Sequence, residues 1–237
     1  MIKMFMQPFM PASIHSKIDR FFELYKVTFA FAIYCIPWWL VNQFFKFSLL
    51  TSPLYGLCVL ILIPNVVVML HQFGQVYLEG HSFTLKEDMA TFAQRWRAFR
   101  QLRWGFNAVV TIIGMGFTFE FLLVMRQEVL HFMIIPFLII GAFLMATLWN
   151  YLLVTAIDKS GENLHEQLKK SVYLGWRSIF GALTIGLLLS LWLSVGYQAT
   201  ILNILGMNIV VFWIGYKLTI KAVQRTINPV QAGLENK

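Results

Sequence analysis

Glu120 is the residue with the clearest potential for chemistry inside a membrane. It is the only carboxylate within six long apolar segments of the sequence. A carboxylate is costly to place in hydrocarbon, and those that occur there usually serve a function. Its segment begins near Trp104, so Glu120 falls in the outer half of a span. Two interpretations stay open: a proton or substrate site, or a carboxylate near the outer interface that is neutral or paired with Arg126.

Three asparagines are further candidates for polar contacts at membrane depth. They are Asn65, Asn107 and Asn150. Amide side chains within spans commonly hydrogen-bond between helices, and this role is favoured over a substrate site. Prolines in spans remove backbone hydrogen bonds and predict kinks, which occur at transporter binding sites and also in ordinary packed bundles. The prolines concerned are Pro37, Pro64 and Pro136.

A basic and aromatic segment forms the most distinctive predicted surface. It consists of Arg95, Trp96, Arg97, Phe99, Arg100 and Arg103. Tryptophan and arginine are frequent anchors of protein interfaces, which predicts a partner. The same residue types also suit a helix on anionic lipid, with tryptophan at head-group depth and arginine reaching past the apolar surface. Both interpretations place this segment at the membrane surface.

Motifs of catalysis and cofactor binding are missing from the sequence. It has no GxxxxGK[ST] phosphate loop, no HExxH, no CxxC and no GxSxG. We therefore expect neither enzymatic activity nor a bound cofactor or metal, and any ATP-driven step would need another subunit. The two cysteines, Cys35 and Cys58, lie in apolar segments and are expected to be packing residues.

The composition indicates an integral membrane protein. Of the 237 residues, 58% are hydrophobic and 13% charged, whereas soluble domains average roughly 45–50% and 25%. A helix needs about 20 apolar residues to cross the hydrocarbon. We predict an all-α protein with six transmembrane helices, at 27–45, 53–73, 104–125, 129–157, 178–197 and 200–220. The last two are expected to be joined by a tight turn at Gly196, Tyr197 and Gln198.

The basic residues predict the orientation of the chain. Lysine and arginine in short loops resist transfer across the membrane and stay cytoplasmic. If both termini are cytoplasmic, 17 of the 19 basic residues are inside and only Lys46 and Arg126 are outside. The net charge of +8 is then concentrated on the face that anionic lipids attract. Nucleic acid is not needed to explain this charge, and we expect none as a partner.

The cytoplasmic segments have the apolar spacing of amphipathic helices. Their apolar faces are Ile14, Ile18, Phe21 and Tyr25; Leu85, Met89, Phe92 and Trp96; and Leu164, Leu168, Val172 and Trp176. Thr84 and Glu87 have the spacing of a capping box, which satisfies free amides at a helix start. Each amphipathic helix precedes two spans, which predicts one membrane domain, 1–237, with repeat-like units at 13–73, 84–157 and 162–220. Duplication and the ordinary rhythm of a polytopic protein both explain this pattern.

Two segments of the sequence are similar to a known family of membrane proteins. They are IPNVVVMLHQFGQVYLEGHSFTLKEDMATFAQRWRAFRQ, at Ile63 to Gln101, and LLVTAIDKSGENLHEQLKKSVYLGWRSIFGAL, at Leu152 to Leu183. With Pro64 in the place of a proline near a span end, the chain resembles the YesL family of small integral membrane proteins from Gram-positive bacteria. The resemblance covers most of the chain after residue 20 and brings no catalytic residues with it. Family members are often encoded beside carbohydrate ABC importers, which implies a role near sugar uptake.

Two main functional hypotheses follow. The first is a non-catalytic accessory or partner subunit of a carbohydrate ABC importer in the plasma membrane, in contact with the permease and ATPase subunits. The second is an autonomous small-solute transporter or channel, motivated by Glu120, the span prolines and the helical hairpins. A membrane-sensing or assembly factor that acts through the basic inner helices is a third.

Overall fold

The structure, a computed structural model, describes residues 12–82, 84–98, 104–157, 163–177, 179–198 and 208–227. Within these ranges every regular element is a helix, which confirms the predicted all-α fold class. The α-helices are α1 (Ala12–Tyr34), α2 (Ile36–Phe44), α3 (Ser52–Leu78), α4 (Leu85–Ala98), α5 (Trp104–Arg126), α6 (Ile134–Ile157), α7 (Leu164–Arg177), α8 (Ile179–Gln198) and α9 (Asn208–Ile227). A 3-10 helix, Glu128–Met133, joins α5 to α6.

Three helical segments are long and apolar enough to cross a membrane. They are Ser52–Tyr77, Gly105–Arg126 and Glu128–Ile157. A fourth span results if α1 and α2 are taken as one bent element. In the described part of the chain, α8 offers only the shorter apolar stretch Leu183–Trp192, and α9 carries Lys217 and Lys221. The described residues therefore contain three or four candidate spans, compared with the six predicted. The six-span count and the repeat stay predictions.

The predicted span 27–45 is broken near its middle. α1 ends at Tyr34, α2 begins at Ile36, and the two helices meet at a bend of 56°. Pro37 lies in the first turn of α2, where a helix does not need its missing N–H, but its ring prevents α1 from continuing. The other two span prolines do not divide their helices, because Pro64 lies within α3 and Pro136 in the first turn of α6.

The turn expected at Gly196, Tyr197 and Gln198 is wrong, because these residues are helical. α8 continues to Gln198, and the next described residue is Asn208, where α9 begins. A single glycine costs a helix roughly 0.5–1 kcal/mol, and no proline stands nearby, so nothing in these three residues ends the helix. Residues 199–207 lie outside the described ranges.

The hydrophobic core lies where the second halves of α3 and α6 pack side by side. α3 buries an almost unbroken run from Ile63 to Leu70, and α6 buries a matching run from Trp149 to Val154. A helix with buried residues on every side must be covered all round. α1 and α9 supply part of this cover through Phe31 and Phe212, whose rings meet edge to face at 5.3 Å.

The opposite part of the molecule exposes large apolar side chains. α5, the 3-10 helix and the first half of α6 contribute most of them, including Ile112 at 69%, Val129 at 85% and Ile135 at 69% exposure. Soluble proteins rarely expose continuous apolar patches larger than a few hundred Å². This surface fits a membrane protein, in which lipid covers it.

A glycine allows α8 to approach the backbone of α6. A Cβ atom added at Gly186 would lie 2.9 Å from both Cα and Cβ of Ala142. Such a distance leaves no space for a methyl group, and the obstacle is backbone rather than the end of a flexible side chain. Small residues at helix crossings let backbones pack closely in membranes. Gly186 and Ala142 therefore set the distance between α6 and α8.

We expect Gly186→Ala to lower the stability of the protein by about 1–3 kcal/mol, because the new methyl group must push α8 away from α6. Gly116→Ala is the matched control, since a Cβ there meets no atom within 4 Å. Thermal unfolding of both variants in detergent measures the difference. Equal unfolding midpoints would contradict the close crossing.

Candidate functional site

Asn65 satisfies a backbone group at the break between α1 and α2. Its Nδ2 atom donates to the carbonyl oxygen of Tyr34 at 3.1 Å and lies 3.9 Å from Cys35 Sγ. Tyr34 is the last residue of α1, where carbonyl groups lose their partners within the helix. Because Asn65 is completely buried, the bond is shielded from water. The side chain therefore connects α3 to the bent span.

The other polar candidates at membrane depth have different surroundings. Asn107 is buried on α5, where its backbone oxygen accepts the Thr111 hydroxyl at 2.8 Å and its Nδ2 atom lacks a partner in the described structure. Asn150 is buried in α6. Glu120 is exposed on α5, which continues through Arg126, and no ion pair joins these two described residues. The structure thus leaves Glu120 on an outer surface of the bundle.

The basic and aromatic segment begins in the last turn of α4. Arg95, Trp96 and Arg97 belong to that turn. Phe99, Arg100 and Arg103 lie outside the described residues. α4, the helix in which the segment begins, packs against α1 and α3. Its role as a partner or lipid surface stays a prediction.

The start of α4 is capped as the sequence predicts. The Thr84 backbone N–H and hydroxyl both donate to Glu87 Oε2, at 2.7 and 2.8 Å. The Glu87 backbone N–H donates back to Thr84 Oγ1 at 3.3 Å, which completes the capping box. The bonds from Thr84, with that from its backbone first, hold the pKa of Glu87 below its usual range. This cap fixes where α4 begins and which residues face the bundle.

A carboxyl group and an amide meet in the interior between α4 and α3. Asp88 and Gln72 are both completely buried. Gln72 Nε2 donates to Asp88 Oδ1 at 3.3 Å and to the Asp88 backbone oxygen at 3.4 Å. The remaining two side-chain oxygens, Asp88 Oδ2 and Gln72 Oε1, are buried and have no partner among the described residues. A buried acceptor without a partner costs roughly 1–3 kcal/mol, and this pair contains two of them in contact with each other's residues.

The charges around Asp88 explain how it titrates. The pKa of Asp88 is raised to about 7, chiefly by burial and next by the Glu23 carboxylate on α1. The Lys26 ammonium lowers the pKa of Asp88, and the Glu87 carboxylate raises it. Lys26 Nζ is 2.7 Å from Glu23 Oε1, so the effects of these two charges on Asp88 partly cancel. Asp88 is therefore a carboxyl group that changes charge near neutral pH.

Two further polar contacts connect helices near Gln72 and Asp88. His71 Nδ1 lies 2.7 Å from the backbone oxygen of Ala156 near the end of α6, so the Nδ1 atom carries a proton and donates. The Tyr34 hydroxyl donates to the Met89 backbone oxygen of α4 at 3.1 Å. Through the adjacent residues His71 and Gln72, α3 is thus bonded to both α6 and α4. We call this end, where α3 and α6 finish, the polar end.

The apolar face predicted for α7 is divided, because Leu164 and Leu168 pack partly buried against the core while the second half of the face stays outside. Val172 and Trp176 are exposed, at 42% and 71%. The face that packs inward is smaller and more polar, and it consists of Gln167, Ser171, Leu174 and Gly175. A Cβ at Gly175 would lie 3.3 Å from Thr147 Oγ1, so the small residues let α7 approach α6 closely. The larger side chains remain available for the membrane interface.

The sequence patterns alone do not single out Asp88 or Gln72. Asp88 follows Leu85 by three residues and directly precedes Met89, so it shares the predicted apolar face of α4. A carboxylate on an apolar face is the one sign in the sequence that Asp88 differs from its neighbours. Gln72 lies at the end of the predicted span 53–73 and has no such signal. Only the packing of α4 on α3 brings the two side chains together.

Cofactor chemistry and known relatives offer no further guide to the site. Among the described residues no group of three His, Cys, Asp or Glu side chains lies together as metal ligands. Cys35 and Cys58 are free, buried thiols. No family model, no curated protein and no solved structure matches the chain.

We expect Asn65→Leu to destabilise the protein by about 1 kcal/mol, because the Tyr34 carbonyl loses its donor in an interior without water. Unfolding midpoints of the purified variants in detergent measure this cost. The cost should shrink in a Pro37→Ala background, where the Trp38 N–H becomes free to bond with Tyr34 as in a continuous helix. An equal cost in both backgrounds would show that Asn65 acts through packing and not through the break.

Proposed function

We propose that this protein is a non-catalytic, multi-pass accessory or partner subunit of a carbohydrate ABC importer in the plasma membrane. The observation that carries the proposal is the attachment of α4, whose last turn contains Arg95, Trp96 and Arg97, to α1 and α3. A basic and aromatic segment on a helix that packs against the bundle suits a docking surface. The resemblance of Ile63 to Gln101 to the YesL family supplies the importer as the expected partner.

The proposal includes six spans with both termini in the cytoplasm. The distribution of basic residues supports this orientation, since Lys46 and Arg126 alone fall on the outer side. The polar end then faces the cytoplasm, where anionic lipids attract the excess positive charge. The exposed Val172 and Trp176 of α7 suit the same interface, with apolar side chains towards the lipid.

Cysteine accessibility in intact cells tests the topology. In a cysteine-free background, we expect Leu50→Cys and Gln127→Cys to react with a membrane-impermeant maleimide, because both positions are exposed on the predicted outer side. Ser82→Cys and Glu166→Cys, exposed at the predicted inner side, should react only after the membrane is opened. Labelling of the second pair in intact cells would overturn the orientation.

An autonomous small-solute transporter is the second candidate. The break between α1 and α2 favours it, because discontinuous spans often form the substrate sites of transporters. Asn65 lies at the break and offers a polar side chain there, although its Nδ2 atom already bonds with Tyr34. Solute flux through proteoliposomes that contain only this protein would distinguish a transporter from an importer subunit.

Copurification from native membranes in mild detergent tests the importer proposal. We expect permease and ATPase subunits to accompany the tagged protein, and we expect Arg97→Gln with Arg100→Gln to reduce their recovery severalfold, since arginine anchors interfaces. The matched control removes the same charge from the predicted outer side, with Lys46→Gln and Arg126→Gln. Recovery of the wild-type protein alone, together with solute flux in proteoliposomes, would replace the importer proposal by the transporter.

A further inference from the structure

The contact between Asp88 and Gln72 is complete on one edge and incomplete on the other. An amide and a carboxylic acid can pair through two hydrogen bonds, with the amide N–H donating to one acid oxygen and the acid O–H donating to the amide oxygen. The first of these bonds is present, from Gln72 Nε2 to Asp88 Oδ1 at 3.3 Å. On the other edge, Asp88 Oδ2 and Gln72 Oε1 are two acceptors without a donor in the described structure.

One proton provides the donor that the two unsatisfied acceptors lack. A carboxylate has only acceptor oxygens, so the ionised pair leaves two buried acceptors unsatisfied. A proton bound to Asp88 Oδ2 turns that oxygen into a donor, and Gln72 Oε1 is an unsatisfied acceptor on the side chain that already bonds with Asp88. The same proton removes a charge that is buried between α4 and α3. We propose that Asp88 and Gln72 form a proton-binding site that holds α4 on the bundle, and that loss of the proton releases α4.

The neighbouring groups agree with a neutral acid in the docked state. Glu23 on α1 and Glu87 on α4 disfavour a further negative charge, and the Lys26 ammonium is engaged by Glu23 at 2.7 Å. On α3 the group that faces Asp88 is the uncharged amide of Gln72.

The remaining polar neighbours do not replace the missing donor. His71, beside Gln72 on α3, directs its Nδ1 atom to Ala156 of α6. The Tyr34 hydroxyl of α1 already donates to the backbone oxygen of Met89.

The direction of the pH effect follows from linkage between proton binding and docking. The pKa of Asp88 is about 7 when α4 is docked, against an ordinary value of 3.8 when α4 is released. Between these values only the docked helix holds the proton, so docking weakens as the pH rises through this window and levels off above neutrality. The inference does not require the proposed importer role, although that proposal uses the same attachment of α4 to α1 and α3.

Hydrogen–deuterium exchange of the full-length protein in detergent tests the site. We expect the protection of residues 85–98, corrected for the intrinsic exchange rate, to fall roughly 30-fold between about pH 5.5 and about pH 8.5. Asp88→Asn should keep its protection at both pH values, because asparagine is uncharged and carries an N–H in place of the bound proton. Glu87→Gln is the matched control, since glutamine retains the capping contact and removes the adjacent carboxylate.

Four outcomes would overturn the proposal. One is protection that is independent of pH in the wild-type protein, and another is an unchanged pH dependence in Asp88→Asn. The third is restoration of protection at high pH by sodium chloride but not by choline chloride, which would identify a monovalent cation as the ligand instead. Loss of the pH effect in Glu87→Gln would likewise assign the titration to Glu87.

Infrared titration gives a second measurement that does not require Asp88→Asn to fold. The titration uses a Glu120→Gln background, which removes the carboxylate of the apolar segment in α5. In this background the C=O band of a carboxylic acid should persist at pH values well above those of ordinary carboxyl groups. The band should disappear near neutrality. Absence of any such band at mildly acidic pH would contradict a protonated Asp88. Importer copurification plays no part in this readout, so either result leaves the proposed function to its own test.

Discussion

The structure depends on a simple constraint, which is that backbone carbonyl groups shielded from water must find donors within the protein. The break after α1 frees the Tyr34 carbonyl, and Asn65 on α3 supplies its donor. A comparable solution occurs near the end of α6, where the Ala156 oxygen accepts from His71, also on α3. α3 is therefore the helix that satisfies the ends of its neighbours as well as the helix on which they pack.

The break also allows α2 to cover a part of the bundle that a straight span would leave open. Beyond the bend, the Trp39 ring contacts the Trp192 ring of α8 edge to face at 5.7 Å. Trp192 in turn donates its indole N–H to Asn208 Oδ1 at the start of α9, at 2.6 Å. One proline in the first span thus brings α2 into contact with α8, which is itself bonded to α9.

Local patterns in the sequence predict much of this fold, and long-range packing decides the rest. The apolar segments locate α3, α5 and α6, and the spacing of Thr84 and Glu87 gives the start of α4, because both signals depend only on neighbouring residues. The Asp88 and Gln72 contact depends on how α4 lies across α3, and a residue spacing contains no such information. Gly196, Tyr197 and Gln198 are helical where a turn is expected, since a glycine weakens a helix without ending it.

The sparse packing of α5 and the first half of α6 has a consequence for how the protein responds to its membrane. Only 11% of the most apolar window of Gly105–Arg126 is buried, against 61% for Ser52–Tyr77. Lipid therefore surrounds this hairpin to a much greater extent than it surrounds α3. A hydrophobic segment adapts to a thinner or thicker bilayer by tilting, at a cost of fractions of a kcal/mol per Å of mismatch. Bilayer thickness would thus act first on this hairpin, while α3 keeps the packed part of the molecule unchanged.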